Sequence, residues 1–315
     1  LMPAFKRLPT LTQLRHLLAL AEHSHFGHAA EACFITQSSL SASIKELEAT
    51  LGQVLVERTK RTVRLTPLGE AMVLRARHVV RDVEDMLDVV SAAGEPLSGD
   101  LRLGVIPTIA PFLLPRVLPH LREAYRELKL YLSEKQSADL LDDLNNGHLD
   151  LLLLAFPYPT PGLKTHLFAN DPFWAAYPKN HPLAEKELLR AKDIETENLL
   201  LLGEGHCLRD HALSACHMAS DKMPSDFQGT SLHTLVQMVD NGLGLTLLPK
   251  MAVDAGIARS TNARLRPLEG NAQGRHIGFA WRSSSPRDKE FMLLANFFRD
   301  ELATPLSPKQ SASQA

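Results

Sequence analysis

Cysteine is scarce in this chain: Cys33, Cys207 and Cys216 are the three among 315 residues. Three thiols cannot build the disulfide framework of a small secreted scaffold, so any pairing is expected to be transient and to serve regulation or catalysis. Long apolar runs are missing as well. No stretch approaches the ~18 residues of a membrane span, and the first residues lack the charged-then-apolar pattern of a signal peptide. The expectation is a cytoplasmic protein without a membrane partner. No internal repeat or low-complexity tract is evident. Metal-ligand spacing is also wanting. His206, His211 and His217 bracket Cys207 and Cys216, but the gap between the two cysteines is longer than the short spacing of structural zinc pairs. No metal or other cofactor is expected.

What is present is an ordinary apolar content of 44% and enough length for two or three compact units. The net charge of −2 conceals an asymmetry, because residues 1–66 carry eight Lys or Arg against five Glu, a balance of +3 that leaves −5 for the remainder. The basic end is therefore the candidate nucleic-acid surface. There, Leu14, Leu17, Leu18 and Ala21 form a helical stripe, and a short helix of small residues follows over 27–34. Thr36 can cap a third helix, in which Leu40, Ile44, Leu47 and Leu51 share one face. Gln37, Ser38, Ser39, Ser41 and Lys45 are left for the other. Short hydroxyl and amide side chains let a helix approach base edges closely, and Gln can pair with adenine through two bonds. The β-branched, basic stretch Arg58 to Leu65, including Arg61, suits a wing that grips phosphate. A solvated helix and a charged hairpin would show the same pattern, since helix-turn-helix spacings also arise by chance.

Thr66 and Pro67 mark a helix start, after which Met72, Ala76, Val79, Val83, Met86 and Val90 alternate spacings of four and three. Such a seam either pairs two chains or packs on its own domain. Pairing would present two recognition helices to a two-fold DNA site. Residues Gly94 to Asp100 read as a hinge. Beyond it, strands and helices alternate: strands over 101–106, 128–132 and 150–156, the last a wholly apolar run suited to parallel pairing, with helices through Leu113 to Leu121 and over 137–144. Further strands are expected near Leu167 and over 173–177, 199–202, 226–229 and 245–248, with a helix over 232–240. A final strand over 277–281 and helix over 288–302 return to the first group, and the polar tail after Ala303 reads as disordered. The fold class is α/β, with two sub-domains and a cleft between them.

In the segment Gly205-His206-Cys207-Leu208-Arg209-Asp210 the thiol lies nine residues before that of Cys216. A thiol flanked by cations is held partly as thiolate, the reactive form, so His206 and Arg209 point to a reactive Cys207. If the segment is one helix, nine steps separate the two Cα atoms by about 13.5 Å on opposite faces. A disulfide needs them within about 7 Å. Joining Cys207 to Cys216 would then unwind the helix, making the bond a conformational signal.

Ala29-Ala30, Gln37-Ser38-Ser39-Leu40-Ser41, Ile44-Lys45-Glu46-Leu47-Glu48, Leu51-Gly52, Glu57-Arg58 and Leu65-Thr66-Pro67-Leu68-Gly69 resemble the DNA-binding domain of LysR-type transcriptional regulators, without a gap. Further on, Gly104 to Pro111, Leu113-Leu114-Pro115, the cysteine segment, Thr230-Ser231-Leu232 and Thr246 to Pro249 resemble the OxyR subfamily, its hydrogen-peroxide-sensing branch. The resemblance implies a winged helix-turn-helix domain over 1–66, a linker helix and hinge over 67–99, and a periplasmic-binding-protein-like regulatory domain of two α/β sub-domains over 100–303. It implies a regulator rather than an enzyme, acting on promoter DNA as a homodimer or homotetramer, in concert with RNA polymerase. It further implies that Cys207 is oxidised by hydrogen peroxide, that Cys216 resolves it into a disulfide, and that a glutaredoxin- or thioredoxin-type reductant resets the pair. By the same resemblance Thr108, Ser137 and His206 would hold peroxide, Arg209 and Arg275 would bear on the sulfur's charge, and Asp210 on the rearranging segment. Familiar members carry Thr where Ser137 stands, so the hydroxyl is kept. Taken without the resemblance, Thr108 suits the cap of the following helix equally well, His206 a loop histidine and Arg275 a surface charge; Cys33 reads as a small buried apolar residue. A small organic effector in the cleft is the competing function.

Overall fold

A computed structural model describes residues 8–58, 63–92, 96–195, 197–216, 228–269 and 274–303, with the side chains of 58, 85, 87–92 and 228 left aside. Arg61, Gly94 and Glu95 of the expected hinge, His217, Asp226 and the tail after Ala303 lie outside the described residues. The chain divides into a unit up to Val90 and a second from Ser91 onward.

In the first unit α1 (Leu11–His23) starts at Thr10, whose hydroxyl accepts from Gln13 N while Gln13 Oε1 accepts from Thr10 N. This reciprocal cap satisfies two amides that the first helical turn would otherwise leave open. Next, α2 (Phe26–Ala32) and α3 (Gln37–Leu51) flank a tight turn in which Phe34 is left-handed and 96% exposed. Leu14, Leu17, Leu20, Ala29, Ala30, Leu40, Ile44 and Leu47 meet in one core, as helical spacing dictates. Cys33 does not join them: it is half-buried at the C-cap of α2, where the chain is already leaving the helix, which corrects the expectation of a buried residue. The wing is an antiparallel pair, β1 (Val56–Arg58) on β2 (Val63–Leu65). The long α4 (Pro67–Ala92) follows. Along its seam Ala76 is buried and Met72 packs on this unit's own core, whereas Val79 is 46% and Met86 67% exposed. The first turns of the seam are thus used internally, and the unpartnered apolar surface begins later.

In the second unit, β3 (Gly99–Val105) runs parallel to both β4 (Leu128–Glu134) and β5 (Leu151–Phe156). Its strand begins inside the expected hinge, because Gly99 already pairs with Leu128. Strand β5 is buried throughout, but its pairing is mixed: β11 (Gly274–Arg282) runs antiparallel on its other side. Burial on both faces explains the apolar run, and strand direction leaves no trace in it. The expected strands near Leu167 and over 173–177 are one strand, β6 (Leu163–Tyr177), with an irregularity opposite Ile277/Gly278. The order is β10-β6-β11-β5-β3-β4, with β9 (Thr246–Pro249) also on β6; β10 (Arg264–Pro267) was not foreseen. A small parallel pair, β7 (Leu201–Leu202) and β8 (Gln228–Gly229), stands apart.

Two cores result. One gathers β3, β5 and the start of β6 with α5 (Ala110–Ala124), α6 (Ser137–Asn145) and α10 (Asp288–Ala303). The other gathers the end of β6, β7 and β9 with α7 (Cys207–Ala215), α8 (Leu232–Asp240) and α9 (Lys250–Asp254). The α/β regulatory half therefore has two sub-domains, and β6 runs through both. Gly104 on β3 shows how tightly α6 is seated. A Cβ there would lie 2.6–2.9 Å from side-chain atoms of Leu149, Leu140 and Leu152.

Candidate functional site

Cys207 is the first residue of α7, and Cys216 caps its other end with its N–H on Ala212 O and Leu213 O, both at 3.2 Å. The segment is helical with both thiols free. Nine steps of helix hold the two Cα atoms about 13.5 Å apart. Cys207 belongs to the core of the first sub-domain and Cys216 to that of the second.

Cys207 is 6% exposed. Burial raises its pKa above the ordinary value, and this outweighs the Arg275 guanidinium and the Ser137 hydroxyl, which both favour the thiolate, while Asp210 opposes them. The first turn of α7 also favours a negative sulfur, since its open N–H groups and dipole point there. The expectation that His206 and Arg209 supply the positive field is corrected. Burial lowers the pKa of His206, so it stays neutral at neutral pH, and Arg209 Nη1 turns to Leu202 O at 3.4 Å. The cation that acts on the sulfur comes from 68 residues further along, on β11, through sheet packing.

Arg275 is fully buried, not a surface charge. Its Nε donates to Asp171 Oδ2 at 3.0 Å, Nη1 to Thr108 Oγ1 at 2.7 Å and Nη2 to Thr108 O at 2.8 Å. Asp171 Oδ1 in turn accepts from Met251 N at 2.9 Å. Such satisfaction is what a buried ion pair needs to offset desolvation. Thr108 therefore does not cap α5, whose N-cap is Ile109 with no side-chain bond. Since Thr108 Oγ1 accepts from Arg275, its own hydrogen remains to be donated. Thr108, Ser137, His206 and Cys207 come together with Ile106, Pro107, Gln136 and Gly205 around one narrow crevice. Gly205 is left-handed at φ 87°, and a Cβ on it would fall 2.1 Å from Gln136 Oε1. Arg209 is half-buried and Asp210 exposed on α7; neither lines that crevice. Cys216 is fully enclosed, and burial, with a smaller contribution from Glu195, pushes its thiol up to about 11.

Asp171 and Gln136 were missed by sequence reasoning, and His211 was weighed only as a metal ligand. Asp171 did carry a signal, a lone acid inside the apolar stretch from Leu167 to Tyr177. Nothing local marked Gln136.

In the first unit Gln37, Ser38, Ser39 and Lys45 are exposed on α3, and Ser41 is half-buried. Thr36 Oγ1 accepts from Ser39 N and exchanges hydrogen bonds with the hydroxyls of Ser38 at 2.9 Å and Ser39 at 2.8 Å. Those two hydroxyls thus help build the cap, while Gln37 and Lys45 stand open. The backbone of Arg58 ends β1; its side chain and all of Arg61 lie outside the described residues.

Two family descriptions match: the lysR-family bacterial regulatory helix-turn-helix protein over residues 11–70, and the LysR substrate binding domain over 94–303. A probable hydrogen peroxide-inducible genes activator of Streptomyces viridosporus is 42% identical, covering 94% of this chain and 96% of its own. The HTH-type transcriptional regulator EstR of Acinetobacter baylyi is 41% identical, covering 94% and 98%. Among solved structures, full-length OxyR from Pseudomonas aeruginosa superposes with a TM-score of 0.77 at 35% identity, covering 93% of this chain and 95% of that one. A helix-turn-helix unit followed by a two-sub-domain α/β unit, matched along nearly the whole length, shows that the chain belongs to the LysR family of bacterial transcriptional regulators, with OxyR proteins among its relatives.

Proposed function

We propose that this protein is a DNA-binding transcriptional regulator of the peroxide response, in which Cys207 is the sensor and Cys216 the resolving thiol. One observation carries the reading. A thiol at a helix N-terminus, faced by a buried guanidinium and a serine hydroxyl, is joined by a single helix to a second thiol in a different core. The similarity to a relative described as a probable hydrogen peroxide-inducible genes activator supports it.

The chemistry follows from the donors. The Cys207 thiolate attacks one peroxide oxygen, the O–O bond breaks, and the departing hydroxide takes a proton to leave as water, giving a sulfenic acid. Thr108 and His206 line the approach, Ser137 donates to the sulfur, and Arg275 offsets the charge that burial disfavours. The Cys216 thiol then attacks the sulfenic sulfur, releasing a second water and closing the disulfide. That step cannot occur across about 13.5 Å, so α7 must unwind and one cysteine must leave its core. A rearrangement that couples two sub-domain cores is a large conformational output from one bond. The reading includes promoter DNA held by α3 in the major groove, a homodimer or homotetramer formed with help from α4, contact with RNA polymerase, and reset by a glutaredoxin- or thioredoxin-type reductant in the cytoplasm. It is a regulator, not an enzyme.

Thiol mapping with parallel promoter footprinting, before and after low peroxide, tests this. An intrachain Cys207–Cys216 disulfide and a shifted footprint are expected. Cys207→Ser should keep DNA binding and lose the response, and a variant that still responds would refute the sensor role. A footprint blind to peroxide but moved by a metabolite would favour the small-effector reading.

A further inference from the structure

His211 lies on α7 four residues after Cys207 and five before Cys216, and it is 6% exposed. Its Nε2 stands 2.8 Å from the carbonyl oxygen of Pro157. A carbonyl only accepts, so Nε2 carries the hydrogen and Nδ1 is a bare acceptor in the neutral ring. Burial favours that neutral form by lowering the pKa of the imidazole. Nδ1 is enclosed and has no hydrogen-bond partner among the described residues. Pro157 directly follows β5, whose six residues are all buried between β3 and β11. The middle of the cysteine helix is thus tied to the end of a strand that is buried along its whole length.

Closing a Cys207–Cys216 bond requires this helix to unwind, and its middle residue cannot keep its place while both ends approach one another. We propose that His211 is a positioning residue: it clasps α7 to the end of β5 in the reduced protein, and release of that clasp sets the rate at which the helix yields to disulfide closure. The proposal rests on the sensor reading of Cys207 and Cys216. Its physical logic is a bond strong enough to hold and weak enough to open. One neutral hydrogen bond shifts an equilibrium by roughly two- to ten-fold. The orphaned Nδ1 weakens the hold further, because water can satisfy it only once the helix lifts. Peroxide chemistry at the sulfur, by contrast, happens at the far end of the first turn and does not involve the imidazole.

The test uses the full-length reduced protein mixed with stoichiometric hydrogen peroxide, quenched over time, with sulfenic acid trapped and the disulfide counted by peptide mapping. His211→Ala is expected to close the disulfide roughly three- to ten-fold faster, with sulfenic acid forming within about twofold of the parent rate. His211→Gln keeps a donor at the reach of Nε2 and is expected to restore the parent closure rate. His211→Asn keeps a polar group near Nδ1 but cannot reach Pro157, so it should match alanine, and it stands in if alanine fails to fold. Closure at the parent rate in the alanine and asparagine variants overturns the proposal. So does fast closure in His211→Gln, which would assign the effect to ring volume instead of the hydrogen bond. Absence of any Cys207–Cys216 disulfide in the parent protein overturns the sensor reading itself, a result separate from both.

Discussion

Arg275 Nε and Asp171 Oδ2 stand 3.0 Å apart with side chains 0% and 3% exposed, and each uses its remaining polar atoms on backbone or on Thr108. Removing one partner of such a pair strands a charge where water cannot reach. Arg275→Leu is therefore expected to destabilise the regulatory unit by about 3–5 kcal/mol, and Asp171→Leu by a similar amount. The double variant should recover much of the loss, because two apolar side chains leave no orphaned charge. Urea unfolding of the three variants checks this, and additive losses would contradict it. Arg275→Leu should also slow the reaction of Cys207 with peroxide, since the guanidinium is the main charge that favours its thiolate.

Gly205→Ala is expected to slow sulfenic acid formation while leaving DNA binding by the reduced protein intact. Its backbone sits at φ 87°, and an added Cβ would meet Gln136 Oε1 at 2.1 Å. The Gln136 amide must swing aside, and it lines the same crevice as Ser137 and the sulfur. The strain is of order 1–3 kcal/mol. A stopped-flow peroxide rate equal to the parent's would show that Ser137 is placed independently of this contact.

The Cys216 thiol keeps its proton up to about 11 when packed, against an ordinary value of 9.0. An acid whose folded pKa is raised adds stability fully below its unfolded pKa and loses it as pH climbs through the folded value. The reduced protein should therefore lose stability between pH 9.0 and about 11. Cys216→Ala should flatten that slope but not abolish it, because burial also raises Cys207. Denaturant midpoints measured across this window decide the matter; an unchanged slope in the variant would count against a buried, protonated Cys216.

Gln37 and Lys45 are exposed on α3 and differ in what they can read. Gln37→Ala is expected to cost about 1–3 kcal/mol on the preferred site and to relax base preference at one position. Lys45→Ala should weaken binding to every sequence alike and lower the salt slope by about one. Binding isotherms on specific and scrambled duplexes at several salt concentrations separate the two behaviours.

Local pattern was enough for much of the molecule. The three-helix core, with Leu14, Leu17, Leu40, Ile44 and Leu47 at helical spacing, the cap at Thr36, and α8 over Leu232–Asp240 were all readable, because each is set by periodicity and capping within a few residues. The nine-residue spacing of Cys207 and Cys216 was legible, and the structure supplies the helix that the sequence left as a condition. Partnership across the sheet was not. Periodicity marks β5 as buried but holds nothing of its antiparallel partner β11, nor does it show that one strand, β6, serves both cores. The charges beside Cys207 in sequence proved to be neutral or turned aside, and the one acting on the sulfur is Arg275, held by Asp171 from the neighbouring strand. Sequence by itself determined which chemistry the chain owns: a helix for DNA and two thiols nine residues apart. Only the tertiary structure decided which groups tune the sulfur and what holds its helix in place, because electrostatics and burial depend on distance through space, and strand pairing sets that distance with no regard for separation along the chain.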